Sequence, residues 1–277
     1  MSTQIESYHN KSQSTMDYNF QDIEGERFIC INALETIPTF FVSMISAQDH
    51  WFFTATNGAL SAGRGSPGNS LFPYYTVDKI INNSNCTGPQ TIIKVANRVW
   101  EPFKSSSERI FSISRKIYKS INGDTLIFEE INHDLELTFS YTWSTSEKYG
   151  FIRRSKLANL STNDLEITVI DGLSDFLASG VDDRTHLAYS CLTDAYKVSE
   201  LEPSNQLLVH RMVASLVDEA IPLECLKATV LWSYGWDDAS ILIQQSDVEQ
   251  FLNDPSFEGS NFSRGLRGCY YNCLLYT

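Results

Sequence analysis

The chain has 277 residues, of which 42% are hydrophobic and 12% aromatic, so it carries enough apolar material for a globular core. Its 21 Lys and Arg against 34 Asp and Glu give a formal net charge of −13, which disfavours nucleic acid as a partner because phosphate backbones are repelled. No apolar run approaches the roughly 18–20 residues that cross a bilayer, so no membrane association is expected. Six cysteines are too sparse for a disulfide scaffold, which predicts a reduced, cytoplasmic protein.

Residues 1–24 are polar, rich in Ser, Asn and Gln, and without a hydrophobic segment, so they predict a flexible leader and not a signal peptide or an anchor. The remainder, residues 25–277, predicts one β domain. Its first part consists of short runs rich in β-branched and aromatic residues. The predicted strands are 28–33, 40–46, 51–56, 91–95, 110–118, 125–130, 135–141, 150–160 and 165–171.

Two local patterns support these strands. In residues 135–141 the odd positions are all apolar and the even ones all polar, the period of a strand with one buried face. Asn122-Gly123 between two runs predicts a hairpin turn, because Asn and Gly tolerate positive φ. Many short strands at this spacing predict an all-β fold with minor helix, arranged as a large antiparallel sandwich.

Helix signals are few. The spacing of apolar residues predicts a helix over 185–198, and a capping box at Ser246–Glu249 predicts another that ends before Pro255. Further strands are predicted at 207–216, 225–232 and 241–245. The run 269–277 predicts a strand that reaches the last residue, from which we expect the chain to be a piece of a longer protein.

Catalytic and cofactor motifs are missing from the sequence. It has no phosphate-binding loop, dinucleotide fingerprint or nucleophile elbow. Cys269 and Cys273 lack the second pair of ligands that zinc needs, so we interpret them as buried cysteines. We therefore predict no catalytic residue, no metal and no cofactor. The adjacent carboxylates Glu129-Glu130, Asp182-Asp183 and Asp237-Asp238 are interpreted as turn or rim charges, because neighbouring strand residues face opposite sides.

The five histidines are scattered, with no two at ligand spacing: His9, His50, His133, His186 and His210. One of them could act as the general base of a sugar epimerase, because an imidazole titrates near neutral pH. A surface or half-buried imidazole without a chemical role is the alternative that we favour for each.

One stretch has the composition of a binding surface. Residues 57–69 form a glycine-rich segment with a single cation, Arg64, and lead into an aromatic run at 71–79. Such a long loop is usually functional or disordered, and its aromatic residues disfavour disorder. Aromatic faces beside charged donors suit a pyranose, which has an apolar face and a hydroxyl rim. We predict a sugar site formed by Arg64, Tyr74, Tyr75 and Asp78.

Two alternatives remain open for this stretch. The aromatic residues could simply form a lid on the core, in a loop that covers a sheet face. Arg64 could pair with Asp78 or with another carboxylate only to hold the loop closed.

The order of several segments resembles the N-terminal domain of the cellobiose phosphorylase group of inverting glycoside phosphorylases and hydrolases, the glycoside hydrolase family 94 type. The resemblance spans about residues 28–277. It is carried by NGALSAGR (57–64), LFPYYTVDKI (71–80), YGFIRR (149–154), LAN (157–159), IDGL (170–173), TDAYK (193–197) and LKATVLW (226–232).

The resemblance implies a distorted, galactose mutarotase-like antiparallel β-sandwich. In that family a helical linker and an (α/α)₆ barrel follow, and the barrel holds the catalytic acid and the phosphate site. The sandwich supplies a dimer contact and loops that reach over the sugar. We therefore expect a non-catalytic, carbohydrate-associated module that shapes a sugar site and supports a homodimer, with an oligosaccharide and a downstream barrel as partners. A free-standing sugar epimerase or mutarotase with a His base and a Glu acid, and a plain carbohydrate-binding module, are the alternatives.

Overall fold

A computed structural model describes residues 17–74, 76–181, 183–214, 227–236 and 238–276. Strands dominate these residues, and every strand pair is antiparallel. The all-β class predicted from the sequence is thus confirmed. No helix within these ranges is long and apolar enough to span a membrane.

The strands are, in chain order, β1 (Tyr18–Ile23), β2 (Glu26–Ile31), β3 (Phe41–Met44), β4 (His50–Ala55), β5 (Leu60–Arg64), β6 (Gly88–Val95), β7 (Arg98–Trp100), β8 (Ile113–Ser120), β9 (Leu126–Asn132), β10 (Leu137–Ser146), β11 (Gly150–Asn159), β12 (Ile167–Phe176), β13 (Lys197–Glu202), β14 (Leu207–Met212), β15 (Thr229–Trp232), β16 (Ser240–Leu242), β17 (Phe262–Arg264) and β18 (Gly268–Tyr276). The helices are α1 (Val77–Asn82), α2 (Ser105–Glu108), α3 (Asp183–Ala188), α4 (Ser190–Ala195) and α5 (Asp247–Asn253).

The strands form four sheets. A six-stranded sheet has the order β1-β2-β8-β9-β10-β11, and a five-stranded sheet has the order β16-β18-β12-β6-β7. A four-stranded sheet, β15-β14-β13-β17, and a three-stranded sheet, β3-β4-β5, complete the set. The predicted hairpin turn joins β8 to β9, and Gly123 there has φ 80°.

Alternation along the strands builds the core. In β10 the side chains of Leu137, Phe139, Tyr141 and Trp143 are buried while the residues between them are partly exposed. One continuous hydrophobic cluster contains residues from all four sheets. Representative members are Phe128 and Phe139 of the six-stranded sheet, Ile93 and Tyr270 of the five-stranded sheet, Phe52 of the three-stranded sheet and Leu208 of the four-stranded sheet.

Several sequence predictions need correction. Tyr18–Ile23, within the predicted flexible leader, form the edge strand β1 because they pair with β2 in register. The predicted helix 185–198 is two short helices, α3 and α4, followed by β13, which pairs with β14 from Lys197 onward. The predicted loop 57–79 contains β5 and the start of α1. His9, Asp182, residues 215–226, Asp237 and Thr277 lie outside the described residues, and so do the parts of the predicted strands that fall there.

Candidate functional site

The glycine-rich segment is a hairpin and not a long loop. Gly58, with φ 81°, makes a tight turn after β4, and Ala55 N donates to Ala59 O at 2.8 Å. From there β5 pairs with β4 through Arg64. The small side chains of β5 are buried, so the segment is stabilised by pairing and packing even though it lacks β-branched residues.

Arg64 ends β5 and lies at the surface. Its Nε donates to Asp49 Oδ1 at 2.6 Å, and both side chains are about half exposed. The hydrogen bond from Arg64 lowers the pKa of the Asp49 carboxyl. The carboxylate partner of Arg64 is therefore Asp49 and not Asp78. This agrees with the alternative in which Arg64 pairs with a carboxylate other than Asp78.

Tyr74 and Asp78 occupy a different environment from Arg64. Tyr74 is half-buried and packs against the small cluster formed by Ala55, Ala59 and Ile80. Asp78 is exposed in the first turn of α1, where a hydrogen bond with Thr76 lowers its pKa. The structure thus gives Tyr74 part of the packing role that the lid alternative assigned to the aromatic residues.

The four predicted site residues are not joined to one another. Within the described ranges, Arg64, Tyr74 and Asp78 share no hydrogen bond or ion pair. Tyr75 lies outside the described residues.

An exposed aromatic pair lies at another point of the surface. Tyr149, at the tip of the β10–β11 hairpin, meets Trp232, the last residue of β15, with ring centroids 5.8 Å apart at an angle of 63°. Tyr149 is 49% exposed and Trp232 43% exposed. Lys148 Nζ lies 4.9 Å from the centroid of the Tyr149 ring, and Tyr234, two residues after Trp232, is 90% exposed.

One packing contact links the β10–β11 hairpin, which carries Tyr149, to the β4–β5 hairpin, which carries Arg64. The rings of His50 and Phe151 are 5.0 Å apart, and Phe151 comes two residues after Tyr149. In the β4–β5 register His50 lies opposite Arg64. We call the exposed groups around this contact, Asp49, Arg64, Tyr149 and Trp232, the rim site.

His50 lies beneath the rim site. It is buried, its Nδ1 lies 3.3 Å from Ser46 Oγ, and its Nε2 has no hydrogen-bond partner in the structure. Burial lowers the pKa of this imidazole, with a smaller effect from the nearby Arg64 charge. His50 is therefore neutral at pH 7 and supports the surface through packing.

The chemistry that the rim site offers is recognition. Tyr149 and Trp232 present aromatic surface with polar tips, while Arg64 and Asp49 add charged donors and acceptors at the surface. None of the histidines in the described ranges forms an ion pair with a carboxylate, so the rim site has no paired acid and base. Those ranges also contain no group of acidic, His or Cys side chains able to hold a metal.

The remaining described histidines do not lie together at one site. His133 is exposed, with Nε2 2.8 Å from Ser114 Oγ. His186 and His210 are buried, which lowers their pKa to about 4 and about 3, helped in both cases by the charge of Lys197. Both are therefore neutral at pH 7 and closed to solvent.

The structure also tests the sequence interpretations of the paired cysteines and of Glu130. Cys269 and Cys273 are buried in β18, as interpreted, and burial raises the pKa of both thiols. Glu130, in contrast, is not a turn or rim charge. It is fully buried in β9 and receives hydrogen bonds from Trp100 Nε1 at 2.6 Å and Arg115 Nε at 2.5 Å.

Sequence reasoning did not select Tyr149, Trp232 or Asp49 as site residues. Tyr149 and Trp232 do fall within segments that carry the family resemblance, and that was the available signal. The contact between them depends on the position of β15, which pairs with β14 in a different sheet from β11. No family model matches the chain, and no curated protein matches it.

Proposed function

We propose that this protein is a non-catalytic, carbohydrate-associated β-sandwich module of the glycoside phosphorylase or hydrolase type, and that its rim site contacts the sugar. The observation that carries the proposal is the exposed pair of Tyr149 and Trp232, beside a hairpin that packs through Phe151 against His50, the residue opposite Arg64 in the β4–β5 register. Aromatic rings cover the apolar face of a pyranose, and charged groups bond to its hydroxyl rim. The rim site supplies both kinds of contact.

The sandwich arrangement belongs to the same proposal. Side chains from the six-stranded and the five-stranded sheet share one continuous core cluster, which is what two sheets packed across a common interior produce. We infer a distorted sandwich of the galactose mutarotase-like type, with the smaller sheets closing its ends. In this arrangement the rim site lies on the loops and strand ends, where binding residues are commonly found.

The assembly follows from the family resemblance. We propose that the module works beside a helical catalytic barrel, forms a homodimer and shapes a sugar site that the barrel completes. Five cysteines of the described part are free, and three of them are buried, which fits a reducing compartment such as the cytoplasm.

No histidine of the described ranges forms an ion pair with a carboxylate, which favours a binding role over a free-standing epimerase. An epimerase needs a base poised near neutral pH beside an acid. The two histidines with the largest shifts, His186 and His210, are buried and have a pKa of about 4 and about 3. We therefore expect the isolated chain to show no anomer interconversion and no turnover of cellobiose, with or without phosphate.

Saturation-transfer difference NMR tests the sugar contact. The full chain is titrated with cellobiose, lactose and maltose, and the same titrations are run on Trp232→Ala and Tyr149→Ala. Tyr18→Ala is the matched control, because Tyr18 is an exposed tyrosine in β1, on a strand that does not adjoin β11 or β15.

We expect at least one disaccharide to give saturation transfer with the wild-type chain. Its apparent affinity is expected to fall about tenfold in Trp232→Ala and in Tyr149→Ala, a loss of about 1.4 kcal/mol in binding free energy, and to stay unchanged in Tyr18→Ala. Equal transfer in all four proteins would overturn the rim site. Interconversion of sugar anomers by the wild-type chain would instead favour the epimerase.

A further inference from the structure

A small polar cavity lies apart from the rim site, beneath the turn that joins β4 to β5. Its volume is about 10 Å³, which is close to the space that one water molecule occupies. The lining residues are Asn57, Gly58, Pro89, Thr91, Pro102, Phe103, Lys104 and Tyr141. A sugar ring does not fit this volume.

Lys104 brings a charge to the cavity and has no ion-pair partner among the described residues. The residue is 7% exposed, and its Nζ donates to the carbonyl oxygen of Ser84. Within the described ranges no carboxylate lies within ion-pair distance of this ammonium. An ammonium has three hydrogens to donate, so at least two need further acceptors. Buried charges are normally paired, which makes Lys104 an exception.

The backbone of Lys104 is fixed in place. Arg115 Nη2 donates to Lys104 O at 3.2 Å, and Arg115 Nε in turn bonds Glu130 at 2.5 Å. The neighbouring Phe103 N donates to Glu130 Oε2 at 2.7 Å. The buried carboxylate of Glu130 therefore holds the segment that carries Lys104 against β8 and β9.

Tyr141 adds an unused donor on the same cavity. The residue is 2% exposed, its ring stacks on Phe128 at 4.8 Å, and its hydroxyl has no hydrogen-bond partner in the described part of the chain. Buried hydroxyls are nearly always hydrogen-bonded, so this one points to a missing acceptor. Gly58 keeps the space open, because a Cβ at this position would lie 3.1 Å from Tyr141 Oη.

The other charged groups beside the cavity are already balanced. Arg153 forms a two-pronged ion pair with Asp171, with Nη1–Oδ2 at 2.7 Å and Nη2–Oδ1 at 2.9 Å. Thr91 Oγ1 also donates to Asp171 Oδ1, at 2.5 Å. Lys104 is therefore the charged residue of the cavity lining that has no ion-pair partner among the described residues, and the Glu101 carboxylate acts on its ammonium only from beyond ion-pair distance.

We propose that this cavity binds a small monovalent anion of the size of chloride, held by the Lys104 ammonium and the Tyr141 hydroxyl. The ammonium has hydrogens left over after its bond to Ser84 O, the hydroxyl has no hydrogen-bond partner, and the ammonium has no carboxylate within ion-pair distance in the described part of the chain. A water molecule fits the space but leaves the ammonium without an ion-pair partner. Chloride is slightly larger than water, so the lining must shift slightly to admit it, whereas phosphate is far too large for the space. The inference does not depend on the sugar-binding proposal, since the rim site shares no residue with the cavity.

Bromide gives the direct test, because its anomalous scattering locates it in a crystal. Crystals of the full chain are soaked in sodium bromide, and we expect an anomalous peak within hydrogen-bonding reach of Lys104 Nζ and Tyr141 Oη. Absence of a peak there, with ordered water or empty density in its place, overturns the proposal. This measurement uses the wild-type protein and so does not depend on the folding of any variant.

Thermal unfolding gives the solution test. The midpoint is measured in sodium chloride and in sodium gluconate at equal ionic strength, where gluconate is too large for the cavity. We expect chloride to raise the midpoint of the wild type, Lys104→Met to abolish the difference, and Tyr141→Phe to weaken apparent chloride affinity about tenfold.

Lys94→Met is the matched control, because Lys94 Nζ also donates to a backbone carbonyl, Leu252 O at 2.6 Å, away from the cavity. Its response to chloride is expected to equal that of the wild type. A chloride effect that is the same in Lys104→Met and in the wild type contradicts the site.

Discussion

Tyr149 and Trp232 meet edge to face at the surface, with their ring centroids 5.8 Å apart. Tyr149 belongs to the tip of the β10–β11 hairpin in the six-stranded sheet, whereas Trp232 ends β15 in the four-stranded sheet. Two sheets thus contribute one ring each to a single exposed aromatic surface. A contact of this kind fixes the relative position of two chain segments and leaves both rings accessible to a ligand.

Replacing Arg64 by alanine distinguishes a role in sugar binding from a role in stabilising the fold. Arg64 and Asp49 are each about half exposed, and exposed ion pairs contribute little to stability. We expect the thermal midpoint of Arg64→Ala to stay close to that of the wild type, while the apparent sugar affinity falls several-fold. Differential scanning calorimetry and NMR titration measure the two effects. A large loss of midpoint with unchanged affinity would mean that the arginine is only a structural tie.

Glu130→Gln tests the buried polar hub of the fold. Glu130 accepts hydrogen bonds from Trp100, Phe103 and Arg115 while fully buried. Loss of its charge leaves the partly exposed Glu108 as the carboxylate partner of Arg115 and weakens three buried hydrogen bonds, so we expect a loss of about 1–3 kcal/mol in the free energy of unfolding, measured by urea denaturation. The control is Glu129→Gln, since Glu129 faces the opposite side of β9 and is partly exposed. Similar losses in the two variants would argue against the hub.

The buried histidines predict a loss of stability in mild acid. The pKa of His210 is about 3 in the folded chain against an ordinary value of 6.5, so between these values the unfolded state binds a proton that the folded state does not. Stability therefore rises with pH across this window and falls as pH drops from about 6.5. Between pH 6.5 and pH 4 we expect His210 alone to lower the free energy of unfolding by about 3 kcal/mol. His186, with a pKa of about 4, lowers it further.

Urea denaturation at pH 6.5, 5.5 and 4.5 measures this slope. His210→Gln is expected to flatten it, whereas His133→Gln, which changes an exposed imidazole, is expected to leave it as in the wild type. A slope that is unaffected by His210→Gln would show that other groups govern the acid response.

The buried Lys104 leads us to expect a change in how the free energy of unfolding depends on pH in alkaline solution. Burial lowers the pKa of Lys104 to about 8, with Glu101 and Cys86 acting in the opposite direction. Between about 8 and 10.5 the unfolded state holds a proton that the folded state lacks, so this residue makes stability rise with pH there. Urea denaturation at pH 7.5, 8.5 and 9.5 in gluconate is expected to show a more positive slope for the wild type than for Lys104→Met. Identical slopes would contradict the assignment.

Local sequence patterns predicted the strands whose two faces differ in environment. β9 alternates strictly between buried and more exposed residues and was predicted with small errors at its ends, whereas β10 alternates as far as Trp143 and extends to Ser146, beyond the predicted end at Tyr141. β5 was missed because Gly63 and its small neighbours carry no strand preference of their own. Its pairing with β4, and the close fit of Gly63 against Trp51, stabilise it instead. Such tertiary stabilisation is invisible to local propensity.

The prediction of the binding site was incomplete for the same reason, because contacts between distant segments leave no local sequence pattern. Arg64 was selected from composition, and the structure places it at the surface, where it pairs with Asp49. Tyr149 and Trp232 are brought together by packing between two sheets, and no local pattern encodes that contact. The cavity at Lys104 and Tyr141 likewise depends on four segments that are separated in sequence.

The central claim, that the rim site contacts a sugar, is tested most directly by a crystal of the full chain soaked with the disaccharide that gives the strongest NMR transfer. We predict a pyranose ring against Trp232 or Tyr149, with at least one of its hydroxyl groups bonded to Arg64 or Asp49. A sugar bound elsewhere, for example beside Tyr74 and Asp78 with the rim site empty, would contradict the account.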